Sequence, residues 1–197
     1  MVRVNIAQPE HAKWAIDICK LLEDAAQVKG TGIAKRSPAY IAEKIRQGKA
    51  IIAISEDGKV AGFCYIETWE HGKYVANSGL IVHPKFRNLG LAKRIKEAAF
   101  KLSRKKYPKA KVFGITTSSA VMKINTYLGY RPVPLSELTT DDEFWKGCES
   151  CKNYDILTRT NRTLCLCTGM LFDPMEKVKK YTEESVKQDE KESHISV

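Results

Sequence analysis

One stretch of 33 residues, 74–106, constrains the fold more than any other. Tyr74–Val82 reads as a strand. His83-Pro84 stops it, because proline cannot continue a central ladder. Arg87-Asn88-Leu89-Gly90-Leu91-Ala92 follows as R-x-x-G-x-A, and Leu91, Ile95, Ala98 and Leu102 then recur at helical spacing on a helix from about Gly90 to Lys105. A strand, a glycine turn and a helix in that order place unpaired helix N–H groups and a positive dipole end beside a residue without Cβ. That arrangement suits a phosphate. An ordinary solvated strand-to-helix turn is the alternative reading of the same pattern.

Charge points to the same place. The chain carries 33 Lys and Arg against 23 Asp and Glu, a formal +10. Residues 84–111 hold eleven basic residues and one acid, Glu97, so the whole excess lies there and the remainder of the chain balances. A global affinity for polyanions would spread the charge; a local one implies a local anionic partner. A nucleic-acid-binding module is disfavoured further because few aromatics (Phe86, Phe100, Tyr107) interleave with the basic run.

Around this stretch the remaining pattern is β-α-α-β-β-[β-α]-β-α-loop-β. Val2–Ile6 alternates as a strand, and residues 10–26 carry Trp14, Ile18, Leu21, Leu22 and Ala25 at helical spacing. Ser37-Pro38 is a helix start, a hydroxyl cap before a proline at the first helical position, with Ile41 and Ile45 on the buried side. Ala50–Ser55 and Lys59–Thr68 flank Glu56-Asp57-Gly58, a hairpin signal. Lys111–Thr116 is a further strand, Ser119–Leu128 a short helix stopped by Gly129, and Leu164–Leu171 a last strand. Residues 1–172 are expected to form one domain, with 135–163 as a cysteine-containing loop and 173–197 as a polar tail. No apolar run approaches ~18 residues and the start Met1-Val2-Arg3-Val4 lacks a long apolar stretch, so the expectation is a cytoplasmic protein without a membrane partner.

The segment Ser78–Phe100, with its Val-His-Pro stop and R-x-x-G-x-A loop, resembles the acyl-CoA-binding core of the GNAT superfamily of N-acetyltransferases, and the order of elements agrees over residues 3–135. The resemblance implies an α/β (α+β) GNAT fold: a mixed, mostly antiparallel sheet, flanking helices, and a splay between the strands at 74–82 and 111–116. It implies that acetyl-CoA or another acyl-CoA is the co-substrate. Leu80, Ile81 and Val82 would then pair with the pantetheine arm, Arg87, Asn88, Leu89, Gly90, Leu91 and Ala92 would hold the pyrophosphate, and Asn125 would face the cofactor.

A second stretch narrows the resemblance. Gly32-Ile33-Ala34-Lys35-Arg36-Ser37, Thr116-Thr117 and Gly129-Tyr130-Arg131-Pro132-Val133 are similar to the stand-alone catalytic domain of bacterial N-acetylglutamate synthases. Lys35, Arg36 and Ser37 are therefore candidates for holding an acidic amino acid. A guanidinium grips a carboxylate with two parallel bonds, and a hydroxyl at a helix start adds a donor. The alternative is a capped surface helix with solvated charges. Where those synthases carry Arg after Thr-Thr, this chain has Ser118, with Lys123 a candidate replacement. The implied activity is transfer of an acetyl or succinyl group to the α-amino group of glutamate, in arginine biosynthesis. The other readings are acylation of a protein N-terminus, lysine or another small amine.

An α-ammonium must lose a proton before it attacks a thioester, and the leaving thiolate must gain one. Glu67, near a strand end, is the candidate base, against a solvated carboxylate. Tyr127 is the candidate acid, against packing on a short helix. Cys148-x-x-Cys151 and Cys165-x-Cys167 lie 13 residues apart. If the second pair lies on a strand, both its thiols share a face. Four thiolates then make a candidate structural zinc site, against reduced thiols or a redox pair. The sequence carries no handle on oligomeric state, a homodimer included.

Overall fold

A computed structural model describes residues 2–28 and 32–176. In chain order its strands are β1 (Val2–Ile6), β2 (Ala50–Ser55), β3 (Val60–Trp69), β4 (Tyr74–Val82), β5 (Lys111–Thr116), β6 (Arg131–Val133) and β7 (Thr168–Phe172). The helices are α1 (Ala15–Ala26), α2 (Pro38–Arg46), α3 (Leu91–Lys106), α4 (Ser119–Tyr127), α5 (Asp142–Lys146) and α6 (Tyr154–Arg159).

Three antiparallel pairings, β1–β2, β2–β3 and β3–β4, lay down half the sheet. The Glu56–Gly58 turn closes with Gly58 N–H donating to Ser55 O at 3.0 Å, and Gly58 takes the positive φ of 75° that the turn demands. After β4 the chain needs a crossover to run parallel to it, and α3 supplies it. β5 is then parallel to β4, and the sheet order is β1-β2-β3-β4-β5-β7-β6. The sheet is mixed and mostly antiparallel, with helices on both faces, as the resemblance implied.

β2 reads Ala-Ile-Ile-Ala-Ile because it is covered on both sides. Ile52 faces α1 and α2 with Ile18, Leu22, Ile41, Ile45, Phe63 and Tyr65. Ile51 and Ala53 face α3 with Ile66, Val75, Ile95, Ala99 and Leu102. The expected cap of α2 is present, Ser37 Oγ accepting from Tyr40 N–H at 3.2 Å.

Four expectations change. The helix expected from residue 10 begins as a 3₁₀ turn, Pro9–Trp14, and becomes α-helical only at Ala15, because His11 Nδ1 accepts from Gln8 N–H at 2.8 Å and tightens the first turn. The last strand begins at Thr168, not Leu164. Residues 164–167 are held by Thr160, whose hydroxyl donates to Leu164 O at 2.8 Å, and they make no ladder. The loop at 135–163 contains α5 and α6, each too short for its periodicity to be read. β6 is unforeseen, three residues at the sheet edge, where Pro132 is tolerated. Of the expected tail, Asp173 and Glu176 are tied down by Lys111 at 2.8 Å and Arg131 at 2.9 Å; residues 177–197 lie outside the described residues.

Candidate functional site

The β4–β5 ladder pairs Tyr74 with Lys111, Val75 with Val112 and Ala76 with Phe113, and stops there. On its other edge β4 carries a bulge. Tyr65 pairs with Ser78 and Phe63 with Ile81, so Gly79 and Leu80 together oppose Cys64. Gly79 adopts φ 63°, and a Cβ there would lie 2.8 Å from the Tyr65 ring. The bulge turns β4 away from β5 and leaves its inner edge without a partner. A cavity of about 620 Å³ fills the gap, with Asn77 to Leu80 on one side and Gly114 to Ser118 on the other. Ile81 and Val82 lie beyond it, toward the loop that follows β4.

That loop is shaped by its own backbone. Pro84–Phe86 forms a 3₁₀ turn, with His83 Nδ1 accepting from Lys85 N–H at 3.2 Å. Arg87 Nε donates to Val82 O at 3.3 Å. Asn88 and Gly90 take positive φ, 62° and 69°, so the chain enters α3 with its first N–H groups free. Among the described residues nothing lies within 4 Å of the position a Gly90 Cβ would take, which leaves the approach to those N–H groups open. Leu89 is exposed, whereas the Leu91 side chain belongs to the core, so Leu91 and its neighbours offer backbone rather than side chains.

Across the cavity stands a polar relay. Arg36 Nε donates to Tyr65 OH at 2.8 Å, and one terminal nitrogen donates to Lys35 O at 2.8 Å and Gly147 O at 3.4 Å. Tyr40 OH donates to Glu67 at 2.6 Å, and Lys44 forms an ion pair with the same carboxylate. Burial pushes the Tyr40 and Tyr65 phenols up, so both stay protonated, and the neighbouring phenols raise Arg36 despite its burial. Lys35 is exposed, with its N–H donating to Ser150 Oγ at 2.8 Å. Ser37 serves as a helix cap. Of the three expected acceptor residues, Arg36 is the one whose side chain is fixed in the cavity wall, by the Tyr65 hydroxyl and two backbone carbonyls.

At the closed end of the splay lies a second group. Lys96 is 2 % exposed, and its Nζ donates to Asn77 Oδ1 at 3.2 Å. Asn77 Oδ1 also accepts from Tyr130 OH at 3.1 Å, and Asn77 Nδ2 donates to Ser103 Oγ at 2.8 Å. Burial holds Lys96 down to about 8. Among the described residues, three buried polar atoms lining the same cavity have no hydrogen-bond partner: Trp69 Nε1, Asn125 Oδ1 and Asn153 Nδ2. Buried polar atoms are normally satisfied, so an acceptor and two donors left open around one cavity mark a place built for a polar ligand.

Glu67 lines the cavity, as the base reading requires, but its oxygens already serve Tyr40 and Lys44. Tyr127 is 66 % exposed under the Lys93 ammonium, 3.7 Å from its ring, and does not line the cavity. Lys123 is likewise exposed. The zinc expectation is corrected: among the described residues no group of three or more His, Cys, Asp or Glu is arranged to hold a metal ion. Cys165 and Cys167 precede β7 instead of lying on it, so the strand geometry that would align them is missing. All four thiols line the cavity, and burial with their mutual proximity pushes Cys148 up to about 11 and Cys167 to about 12, keeping these two protonated.

Several site residues escape sequence reading. Tyr40 and Lys44 sit four apart on α2, a helical pair with one face in common. Lys96 is hidden among the ten other basic residues of its run. Asn77, Tyr65 and Asn153 carry no motif.

Comparison with known proteins agrees with this fold. The family model described as Acetyltransferase (GNAT) family matches residues 17–129. N-acetylglutamate synthase from Neisseria gonorrhoeae, complexed with coenzyme A and N-acetyl-glutamate, superposes with a TM-score of 0.62 at 14 % identity, over 89 % of this chain and 36 % of that one. A Mycobacterium tuberculosis protein in complex with CoA and NLQ gives 0.61 at 15 % identity, over 87 % and 98 %. A phosphinothricin acetyltransferase from Sinorhizobium meliloti, in complex with AcCoA, gives 0.58 at 12 %, over 87 % and 88 %. At these identities the likeness is one of fold. The chain spans about a third of the length of the gonococcal synthase. No curated protein matches the sequence.

Proposed function

This chain belongs to the acetyltransferase (GNAT) family, and on that premise we propose that it transfers an acetyl or succinyl group from an acyl-CoA to the α-amino group of an amino acid with a second carboxylate, glutamate first among them. The observation that carries this reading is the place of Arg36. Its guanidinium stands in the wall opposite β4, held by Tyr65 and two carbonyls, with a terminal nitrogen left over for a carboxylate.

The R-x-x-G-x-A loop, Arg87 to Ala92, takes the diphosphate on its free N–H groups and the dipole of α3. The pantetheine arm runs back from there along the unpaired edge of β4, past Val82 and Ile81 to Leu80. Asn125 Oδ1 and the other open polar atoms receive ligand donors and acceptors. The amine attacks the thioester carbonyl as a neutral nucleophile. Its proton passes to Tyr40 as that hydroxyl donates to Glu67, which makes Glu67 the base at one remove. Backbone N–H groups at the Gly79 bulge stabilise the oxyanion. The C–N bond forms and the C–S bond breaks, leaving amide and CoA. Arginine biosynthesis in the cytoplasm is the setting this reading implies.

The test follows free thiol release with acetyl-CoA and succinyl-CoA against a panel of amino acids. Turnover is expected with glutamate and falls for neutral amino acids. Arg36→Ala should raise the acceptor KM by ~10–100-fold, as for a lost charge-assisted bond of about 1.5–3 kcal/mol, while the acyl-CoA KM stays within about twofold. No turnover of glutamate with either donor overturns the acceptor assignment. Failure to bind CoA in calorimetry overturns the acyl-CoA reading itself.

A further inference from the structure

We propose that Lys96 is a catalytic residue, whose ammonium gives the departing CoA thiolate its proton. The inference rests on the acyl-CoA reading above and assigns a step which that reading leaves without a residue, since Tyr127 lies outside the cavity.

The position is the first argument. β4 and β5 part immediately after Ala76 and Phe113, so Asn77 and Gly114 are the first residues past the fork. Lys96 Nζ bonds Asn77 Oδ1 at 3.2 Å and lies 3.9 Å from where a Gly114 Cβ would be. The ammonium therefore sits at the closed end of the splay, and the glycine opposite keeps a side chain out of it, where a Cβ would lie 3.3 Å from Asn77 O as well. With the diphosphate held by the loop at the open end, an arm lying along β4 brings its sulfur toward this closed end.

Valence is the second argument. An ammonium has three protons, and one is used on Asn77. Among the described residues Lys96 makes no ion pair. The groups facing it are the Cys64 thiol from β3, the Tyr130 ring at 5.1 Å from the segment after α4, and Asn77 from β4. On its own helix Ser103 bonds Asn77, while Glu97 pairs with Lys93 at 3.9 Å. A buried cation that lines a cavity and has no counter-ion among the described residues costs the fold stability, so packing alone does not account for it. Its use is as a proton donor poised where an anion appears.

Acidity is the third. Burial brings Lys96 to about 8, near the ~8.5 of an ordinary thiol, so a proton moves between them with little driving force lost. The step balances. The tetrahedral adduct collapses, the C–S electron pair goes to sulfur, sulfur takes the Lys96 proton, and the neutral amine is recharged by a proton from solvent.

The test compares acetyl-CoA with acetyl-seleno-CoA, whose selenolate is a far weaker base and leaves without a proton. In the wild type, kcat with acetyl-CoA is expected to fall above an apparent pKa near 8, and that limb should vanish with the selenoester. Lys96→Met and Lys96→Gln should lower kcat with acetyl-CoA by ~100-fold or more, lose the same limb, and recover most of the rate with the selenoester, while CoA binds within about threefold of wild type. If the wild type keeps the limb with the selenoester, or if both variants lose the two donors' rates equally, the assignment is wrong. The wild-type comparison stands even where a variant does not fold. A wild type that binds no CoA overturns the acyl-CoA reading, whereas one that turns over without these signatures overturns the role of Lys96 alone.

Discussion

Lys96 shows how one side chain sets stability against reactivity. Its proton is held at about 8 in the folded protein and near 10.4 in the unfolded chain, so the unfolded chain binds more protons between those values. Stability therefore rises with pH across that window, and below pH 8 the penalty is fully present, about 3 kcal/mol. Lys96→Met should be more stable than wild type by ~1–3 kcal/mol at pH 7 in urea unfolding, with the gain shrinking toward pH 10. A variant less stable at both pH values would mean that Lys96 is there to support the fold. Arg36 is the opposite case: two of its three nitrogens are matched by Tyr65 and two carbonyls, so a planar fork is held in one pose before any ligand arrives.

At the scale of elements, the bulge in β4 decides whether there is a cleft at all. An unbroken β4–β5 ladder would close the space. The bulge relies on Gly79, which combines a left-handed φ of 63° with contact against the buried Tyr65 ring. Gly79→Ala should cost ~2 kcal/mol or more and raise the acyl-CoA KM, with thermal unfolding and steady-state kinetics as the readouts. Wild-type values for both would show that β4 splays for another reason. The acceptor wall is completed by the segment 135–167, anchored where Trp145 Nε1 donates to Thr139 O at 2.8 Å and where Glu70 accepts from Thr139 Oγ1 and Thr140 N–H, both at 2.8 Å. Packing of Phe144 on Trp69 and Phe113 adds to these hydrogen bonds in fixing this wall.

For the molecule as a whole, the charge asymmetry sharpens into a surface feature. Of the eleven basic residues in 84–111, Lys96 is buried, Lys111 pairs with Asp173 and Lys93 with Glu97; Lys85 and Arg87 lie on the loop, Lys109 follows α3, and the rest lie along α3. Such a field raises the local concentration of a small polyphosphate ligand and is screened over a Debye length of about 10 Å at 0.1 M salt. The acyl-CoA KM should rise several-fold between about 0.05 and 0.5 M salt while the KM for a neutral amine changes little. A salt-independent acyl-CoA KM would remove the basic run from binding.

The sequence by itself determined the elements and their order where the signals were local. The Ser37-Pro38 start, the Glu56–Gly58 hairpin, and the His-Pro stop before R-x-x-G-x-A each act through the backbone of a few adjacent residues, and β2, β4 and β5 fall where their apolar patterns placed them. Periodicity needs length, which is why β6, α5 and α6 were not legible. The tertiary structure decided everything that depends on residues distant in the chain: that Arg36 meets Tyr65, that Tyr40 and Lys44 converge on Glu67, that Tyr127 faces outward, and that the cysteines do not assemble a metal site. It also picked one lysine out of a basic run and buried it. Charge and spacing are written along the chain, but desolvation is a property of what packs around a side chain, and only the folded sheet supplies that.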